Sequence, residues 1–152
     1  MTIQIDSREK ARAIQKILAD FDKQGITHFV SKLPVGDYMN LDNPRVVIDR
    51  KQNLLEIVGN VCQQHKRFRA ELERANQYGI KLIILIEHGG TIHGLSDVIN
   101  WKNPRLAVSP MAMSGERLYK VLSAMEKKYG IEVLFCDKRN TGKRIIELLE
   151  LK

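Results

Sequence analysis

Residues 80–87, IKLIILIE, constrain the fold more than any other stretch. The run is apolar on both of the faces that strand alternation creates, so a strand built from it must be covered on both sides. Helices supply that cover, and 152 residues are enough for one domain containing them. The surrounding pattern agrees. Thr2 to Ile5 alternate weakly as a short strand, and Ala11, Ile14, Leu18 and Phe21 recur at helical spacing up to Gly25. Thr27 to Leu33 read as a second strand, which Pro34 ends. After Lys51, Leu54, Leu55, Val58 and Val61 form a helical stripe. Gln64 to Tyr78 continue with Phe68, Leu72 and Ala75 inward. Ser114 to Tyr129 predict a further helix, Ile131 to Cys136 a strand, and Thr141 to Leu151 a closing helix. The expectation is a single α/β domain over residues 1–152, with a central mixed sheet flanked by helices.

The stretch from Val35 to Lys51, VGDYMNLDNPRVVIDRK, holds charges that packing does not need. Asp49 and Lys51 close the apolar run Val46-Val47-Ile48. Alternation places both on one face of a strand and Arg50 on the other. Asp42-Asn43-Pro44 is a turn signal. If the flanking strands fold back symmetrically about Asn43, Asp37 lies opposite Asp49. Like charges facing each other across strands are destabilising unless a cation lies between them. Two carboxylates around a hard metal, with a lysine two residues on, are the minimum kit of a metal-dependent phosphodiesterase. The plain alternative is a solvated hairpin with scattered charges.

The formal net charge is +7 and both halves of the chain are positive, so no single tail carries the excess. A basic domain suits a polyanion, nucleic acid before an anionic membrane surface. Ordinary solubility charge is the competing account. Charged residues at 28% and hydrophobic residues at 43% describe a folded domain and exclude a disordered tail. The N-terminus MTIQIDSREK is no signal peptide, and no apolar run reaches membrane-spanning length. The expected compartment is the cytoplasm, at the nucleoid in a prokaryote or phage and in the nucleus in a eukaryote, with no membrane partner. Cys62 and Cys136 each sit in apolar company and read as buried reduced thiols.

Other polar clusters carry two readings each. Asp6-Ser7-Arg8-Glu9 looks like a capping-box variant at a helix start, and equally like extra acids beside a metal. Lys66, Arg67, Arg69 and Arg74 stud one helix together with Glu71 and Glu73. Pairs such as Arg67 with Glu71 fit an exposed face, while a phosphate-contacting face is the functional reading. Residues 88–113 show no period and are punctuated by glycine and proline. There Trp101, Lys102 and Arg105 offer an aromatic and two cations for nucleic acid; Trp101 as an anchor of the loop is the other account. His88 and His93 have no clear third ligand, and Gly89-Gly90 lacks the rest of a phosphate-loop motif.

Taken in order, Asp6-Ser7-Arg8-Glu9, Leu33-Pro34-Val35-Gly36-Asp37-Tyr38 and Ile48-Asp49-Arg50-Lys51 resemble the nuclease domain of XPF-type structure-specific endonucleases. That family writes acid-x-Arg-Glu, then Gly-Asp-Tyr, then Glu-Arg-Lys, then a helix with Arg-Phe, which Arg67-Phe68 match. The resemblance covers nearly the whole chain. It implies a restriction-endonuclease-like core using Mg²⁺ or Mn²⁺ held by Asp37 and Asp49, with Glu9 and with Asp6 close by. It implies Lys51 as the catalytic lysine, and Arg8, Arg50 and Arg67, with Lys66 beside them, at the site or the DNA phosphate. It further implies endonucleolytic cleavage of branched or junction DNA, in repair or recombination, and a homodimer. The chain departs from the family at Asp49, where Glu is usual, and at Leu55, where an acid is usual and Glu56 follows instead. Lys66 stands where glycine precedes Arg-Phe. These residues contain no tandem helix-hairpin-helix module and no helicase domain. A catalytically weak or inactive DNA-binding or partner subunit is the alternative.

Overall fold

The computed structural model describes residues Met1–Glu150; the expected helix end at Leu151 lies outside the described residues. Six strands form one sheet: β1 (Thr2–Ile5), β2 (Thr27–Val30), β3 (Tyr38–Asn40), β4 (Asn43–Lys51), β5 (Lys81–Glu87) and β6 (Glu132–Cys136). Their order is β2-β1-β3-β4-β5-β6. Only β3 runs antiparallel to its neighbours. Hence β1 and β4 finish, and β3 begins, at the same end of the sheet. The residues just after β1, just before β3 and at the end of β4 therefore converge there.

The expected apolar strand is β5, parallel to β4 on one side and β6 on the other, and buried from Leu82 through Glu87. Helices cover both faces: α1 (Gln15–Lys23), α2 (Leu54–Cys62), α3 (His65–Gln77), α4 (Gly115–Tyr129) and α5 (Thr141–Glu150). Val47, Leu82, Ile84 and Ile86 pack with residues of α2, α3 and α4. On the other face Ile48, Tyr38, Ile83 and Leu85 pack with Ile17 and Phe21 of α1 and with Ile145, Ile146, Leu148 and Leu149 of α5. Each buried Ile contributes about 1.5–3 kcal/mol, so slipping β4 by one residue would exchange its two faces and is strongly disfavoured. Asp49 and Lys51 follow Val47 toward α2 and α3, and Arg50 follows Ile48 toward α1 and α5.

Three local expectations change. The hairpin turns at Leu41-Asp42, so Asn43 and Pro44 already belong to β4. The first helix is a short 3-10 turn, Ala11–Ile14, before α1. Residues 88–113 contain two 3-10 turns, Leu95–Asn100 and Pro104–Ala107, fastened by buried Val98 and by Trp101 against the core. The cysteines also differ from expectation: Cys62 is exposed and Cys136 partly exposed, both as free thiols. The apolar neighbours of Cys62 face the core from other sides of α2. No helix among the described residues is long and apolar enough to cross a membrane.

Candidate active site

Register builds the site. Tyr38 pairs with Ile48 and Met39 with Val47, before the pairing shifts to Asn40 with Asn43. One step outward from Tyr38 and Ile48, Asp37 stands opposite Asp49. The backbone there is held by the Asp37 N–H donating to the Ile48 carbonyl at 2.8 Å. The Asp37 carboxylate accepts the Arg50 N–H at 2.7 Å, which aims it across the strand end. Gly36 makes this approach possible. Its φ is +68°, and a Cβ there would lie 2.5 Å from Val47 Cγ1.

Three acids crowd this point. Burial, then the charge of Asp49 and that of Glu9, raise the Asp37 carboxyl well above its usual range. Asp49 is 5% exposed, and its buried Oδ2 makes no hydrogen bond, only an ion pair. Lys51 Nζ sits 3.3 Å from that oxygen and 5.4 Å from the centre of the Phe68 ring. Burial draws the Lys51 ammonium down, but Asp49, Glu56 and Asp37 outweigh it and the net shift is upward. Glu71 joins from α3. Burial and the charge of Asp49 raise its carboxyl, against the opposing pull of the Lys51 ammonium.

A cleft of 370 Å³ gathers these groups, with Glu9, Asp37, Asp49 and Lys51 inside and Arg8, Arg67 and Arg74 among its cations. Seven of the expected site residues line it: Arg8, Glu9, Asp37, Asp49, Arg50, Lys51 and Arg67. The others lie elsewhere. Asp6 is fully buried, one oxygen accepting the Leu33 N–H at 2.8 Å and the other accepting Arg8 N and Nε at 3.1 and 2.6 Å. Burial pushes its carboxyl up, but those donors outweigh it and the net shift is down. Asp6 is thus a brace of the turn, neither the α1 capping box nor a free ligand. Lys66 is exposed and does not line the cleft. Trp101 and Lys102 line a separate cavity with His88 and Asp97, and Trp101 serves as the loop anchor. Arg105, on the 3-10 turn, is exposed and outside the cleft.

Of the two places expected for Arg50, at the site or at the DNA phosphate, its contacts lie at the site. Its side chain is 5% exposed and bridges two acids, Glu9 at 2.9 Å and Glu87 at 2.7 Å. Thr141 at the start of α5 donates to Glu87, and Tyr38 Oη donates to Glu9 at 3.1 Å. Burial lowers the Arg50 guanidinium, but Glu9 and its other neighbours raise it further. Arg50 therefore orients Glu9 from the wall of the cleft.

Sequence reasoning missed four contributors. Helical spacing pairs Glu71 with Arg67 as surface charge. Its i+3 spacing from Phe68, a core position, was the available signal that it faces inward. Arg74, four residues before Tyr78, donates to the Pro34 carbonyl at 3.0 Å and lines the cleft. Glu56 accepts the Gln52 N–H at 2.8 Å and reaches Lys51, occupying the neighbourhood that Leu55 leaves. Glu87, the last residue of β5, is buried and takes Arg50 and Thr141 as donors.

The profile of the ERCC4 domain matches residues 5–149. The chain belongs to the ERCC4 domain family. The structure of XPF from Aeropyrum pernix superposes with a TM-score of 0.69 at 20% identity, over 99% of this chain and 64% of that one. The same protein in complex with DNA gives a TM-score of 0.67 at 19% identity, over 98% and 63%. The chain thus spans less than two thirds of either structure. No curated protein sequence matches it. The fold is that of the XPF nuclease domain, restriction-endonuclease-like, as the resemblance implied.

Among the described residues no three or more His, Cys, Asp or Glu side chains form a ready metal cage. The donor set suits a hard ion nonetheless. Mg²⁺ is held by one or two carboxylates, with waters and substrate phosphate completing its shell. Asp37 and Asp49 supply that number, the buried Asp49 Oδ2 makes no hydrogen bond and is met by the Lys51 ammonium at 3.3 Å, and the mutual repulsion of Asp37 and Asp49 is what a divalent cation relieves.

Proposed function

We propose that this ERCC4 domain is a Mg²⁺- or Mn²⁺-dependent endonuclease that hydrolyses phosphodiester bonds in DNA, at branched or single/double-strand junction structures. The observation that carries this reading is the facing of Asp37 and Asp49, with Lys51 beside them, at the floor of a cleft lined by arginines. Asp37 and Asp49 would hold the ion, with Glu9 at its edge. When bound, a hard divalent ion supplies Lewis acidity toward the phosphate and toward an attacking water.

The rest is done by the chain. Lys51 stays charged beside Asp49 and orients the water or offsets the negative charge that builds on the phosphorus oxygens. The water oxygen forms the new P–O bond while the bond to the leaving sugar oxygen breaks, and the proton the water gives up passes through solvent to that sugar oxygen, leaving a nick. Arg8 and Arg67 at the cleft grip flanking phosphates. Arg50 keeps Glu9 in place and does not touch DNA. A homodimer extends the same reading, with β6, an edge strand, and the adjoining α4 as its surface. Light scattering that shows a monomer at high concentration removes that part.

The decisive experiment incubates the chain and its Asp49→Ala variant with branched DNA and Mn²⁺. The parent nicks the DNA and the variant does not. A parent that fails to cut, or a variant that cuts as well, overturns the reading. Calorimetry with Mn²⁺ separates the nuclease from an inactive partner subunit, whose degenerate site would bind no ion.

A further inference from the structure

Beside the acidic cleft lies a second cavity of 510 Å³, lined by Arg8, Lys32, Leu33, Pro34, Arg74 and Tyr78. Arg8 and Arg74 line both cavities, so the two form one trough with cations at the join. The second cavity has no acid in its wall. Arg8 uses Nε on Asp6, and its two terminal nitrogens meet no acceptor among the described residues. Arg74 donates through Nη1 to the Pro34 carbonyl. Lys32 is exposed and has no carboxylate partner among the described residues.

The wall is held rigid by side chains. Asp6 accepts the Leu33 N–H at 2.8 Å, Arg74 reaches the Pro34 carbonyl at 3.0 Å, and Gln4 Nε2 donates to the Lys32 carbonyl at 3.2 Å. Against this wall stands Tyr78, 59% exposed and the most exposed aromatic side chain among the described residues. It ends α3, its N–H donating to the Arg74 carbonyl at 3.1 Å, so its ring has a fixed base.

A pre-formed run of cations ending on an open aromatic ring is the chemistry that binds a single strand: phosphates on the cations, a base on the ring. A paired base offers no free face to such a ring, because its neighbours in the duplex already cover it. We infer that the trough seats an unpaired nucleotide next to the cut, with its phosphate on Arg8, Arg74 and Lys32 and its base stacked on Tyr78. The inference rests on the nuclease reading for the place of the cut, and it assigns recognition of the unpaired strand to Lys32, Arg74 and Tyr78.

The test is a binding measurement made without metal. Fluorescence anisotropy compares a blunt duplex with duplexes carrying a 3′ or a 5′ thymidine arm, for the full chain and for Tyr78→Ala, Tyr78→Phe and Lys32→Ala. The parent prefers an armed duplex. Tyr78→Ala weakens armed DNA about 10-fold more than blunt duplex, the effect of one lost stacked base. Tyr78→Phe restores the preference, and Lys32→Ala lowers the salt dependence on armed DNA. A parent without preference for either arm, or a Tyr78→Ala protein that keeps it, overturns the inference. Circular dichroism confirms that each variant is folded. Adding Mn²⁺ afterwards separates the two ideas. A chain that discriminates arms but cuts nothing upholds the trough and overturns the nuclease. A chain that cuts while Tyr78→Ala leaves its arm preference intact does the reverse.

Discussion

The residues of the cleft are arranged against their own stability. Asp37, Asp49 and Glu9 lie close together in partly desolvated surroundings, and this costs free energy until a cation enters. Replacing Asp37 with Asn keeps an oxygen for the Arg50 N–H while removing one charge from the cluster. The Asp37→Asn variant is therefore expected to melt several degrees higher than the parent, about 1 kcal/mol more stable by the usual size of such gains, while losing metal-dependent cleavage. A lower melting temperature in metal-free buffer would refute the electrostatic part. Arg50 shows the opposite economy. It bridges Glu9 and Glu87 inside the protein, and truncating one partner of a buried ion pair leaves uncompensated charge. Arg50→Met should destabilise by roughly 3–5 kcal/mol, read from urea unfolding. A loss below 1 kcal/mol, on the scale of an exposed pair, would show that the bridge is solvated.

At the scale of elements, the hairpin of β3 and β4 decides whether a site exists. Its register was legible in the chain, because symmetric folding about Asn43 predicts Asp37 opposite Asp49, and the observed pairing of Tyr38 with Ile48 continues to that position. The turn itself lies one residue before the Asp42-Asn43-Pro44 signal. The Asn40 side chain accepts the Asp42 N–H at 3.0 Å, so the bend closes before Asn43. Gly36 carries the other half of the geometry, and its positive φ together with the nearness of Val47 leaves no room for a side chain. Gly36→Ala is expected to cost about 1–3 kcal/mol, as backbone strain of this kind does, and to reduce cleavage by displacing Asp37. Equal stability and equal activity would show that the loop adjusts freely. The start of α2 is a simpler case. Asn53 caps it by accepting the Glu56 N–H at 2.9 Å, and Asn53→Ala should lower stability by about 1 kcal/mol in thermal denaturation.

At the scale of the molecule, five strands point one way and β3 the other, so the end of β1, the beginning of β3 and the end of β4 meet at one end of the sheet. Three motifs far apart in sequence thereby share a cleft. The surplus of positive charge acts at the same scale. With a formal net charge of +7, binding to DNA should weaken steeply with salt. Titrating KCl against duplex affinity should give a linear fall of log K with log salt. A flat plot would mean that the charge serves solubility alone.

What the sequence determined by itself was whatever depends on period and order. A largely apolar octapeptide announced an interior strand covered on both faces. Alternation along residues 46–51 sent Asp49 and Lys51 to one face and Arg50 to the other, and the order of the motifs carried the family resemblance. What only the tertiary structure decided was which groups stand opposite those faces. Arg50 turned out to be enclosed by Glu9 and Glu87, Asp6 to be tied to Leu33 and Arg8, and Glu71 to face Asp49. Lys32, Arg74 and Tyr78 became one wall although dozens of residues separate the first from the other two. The physical reason is that periodicity tells a side chain which way to point from its own element. Its partner, its burial and its charge state depend on what other elements bring to the same place.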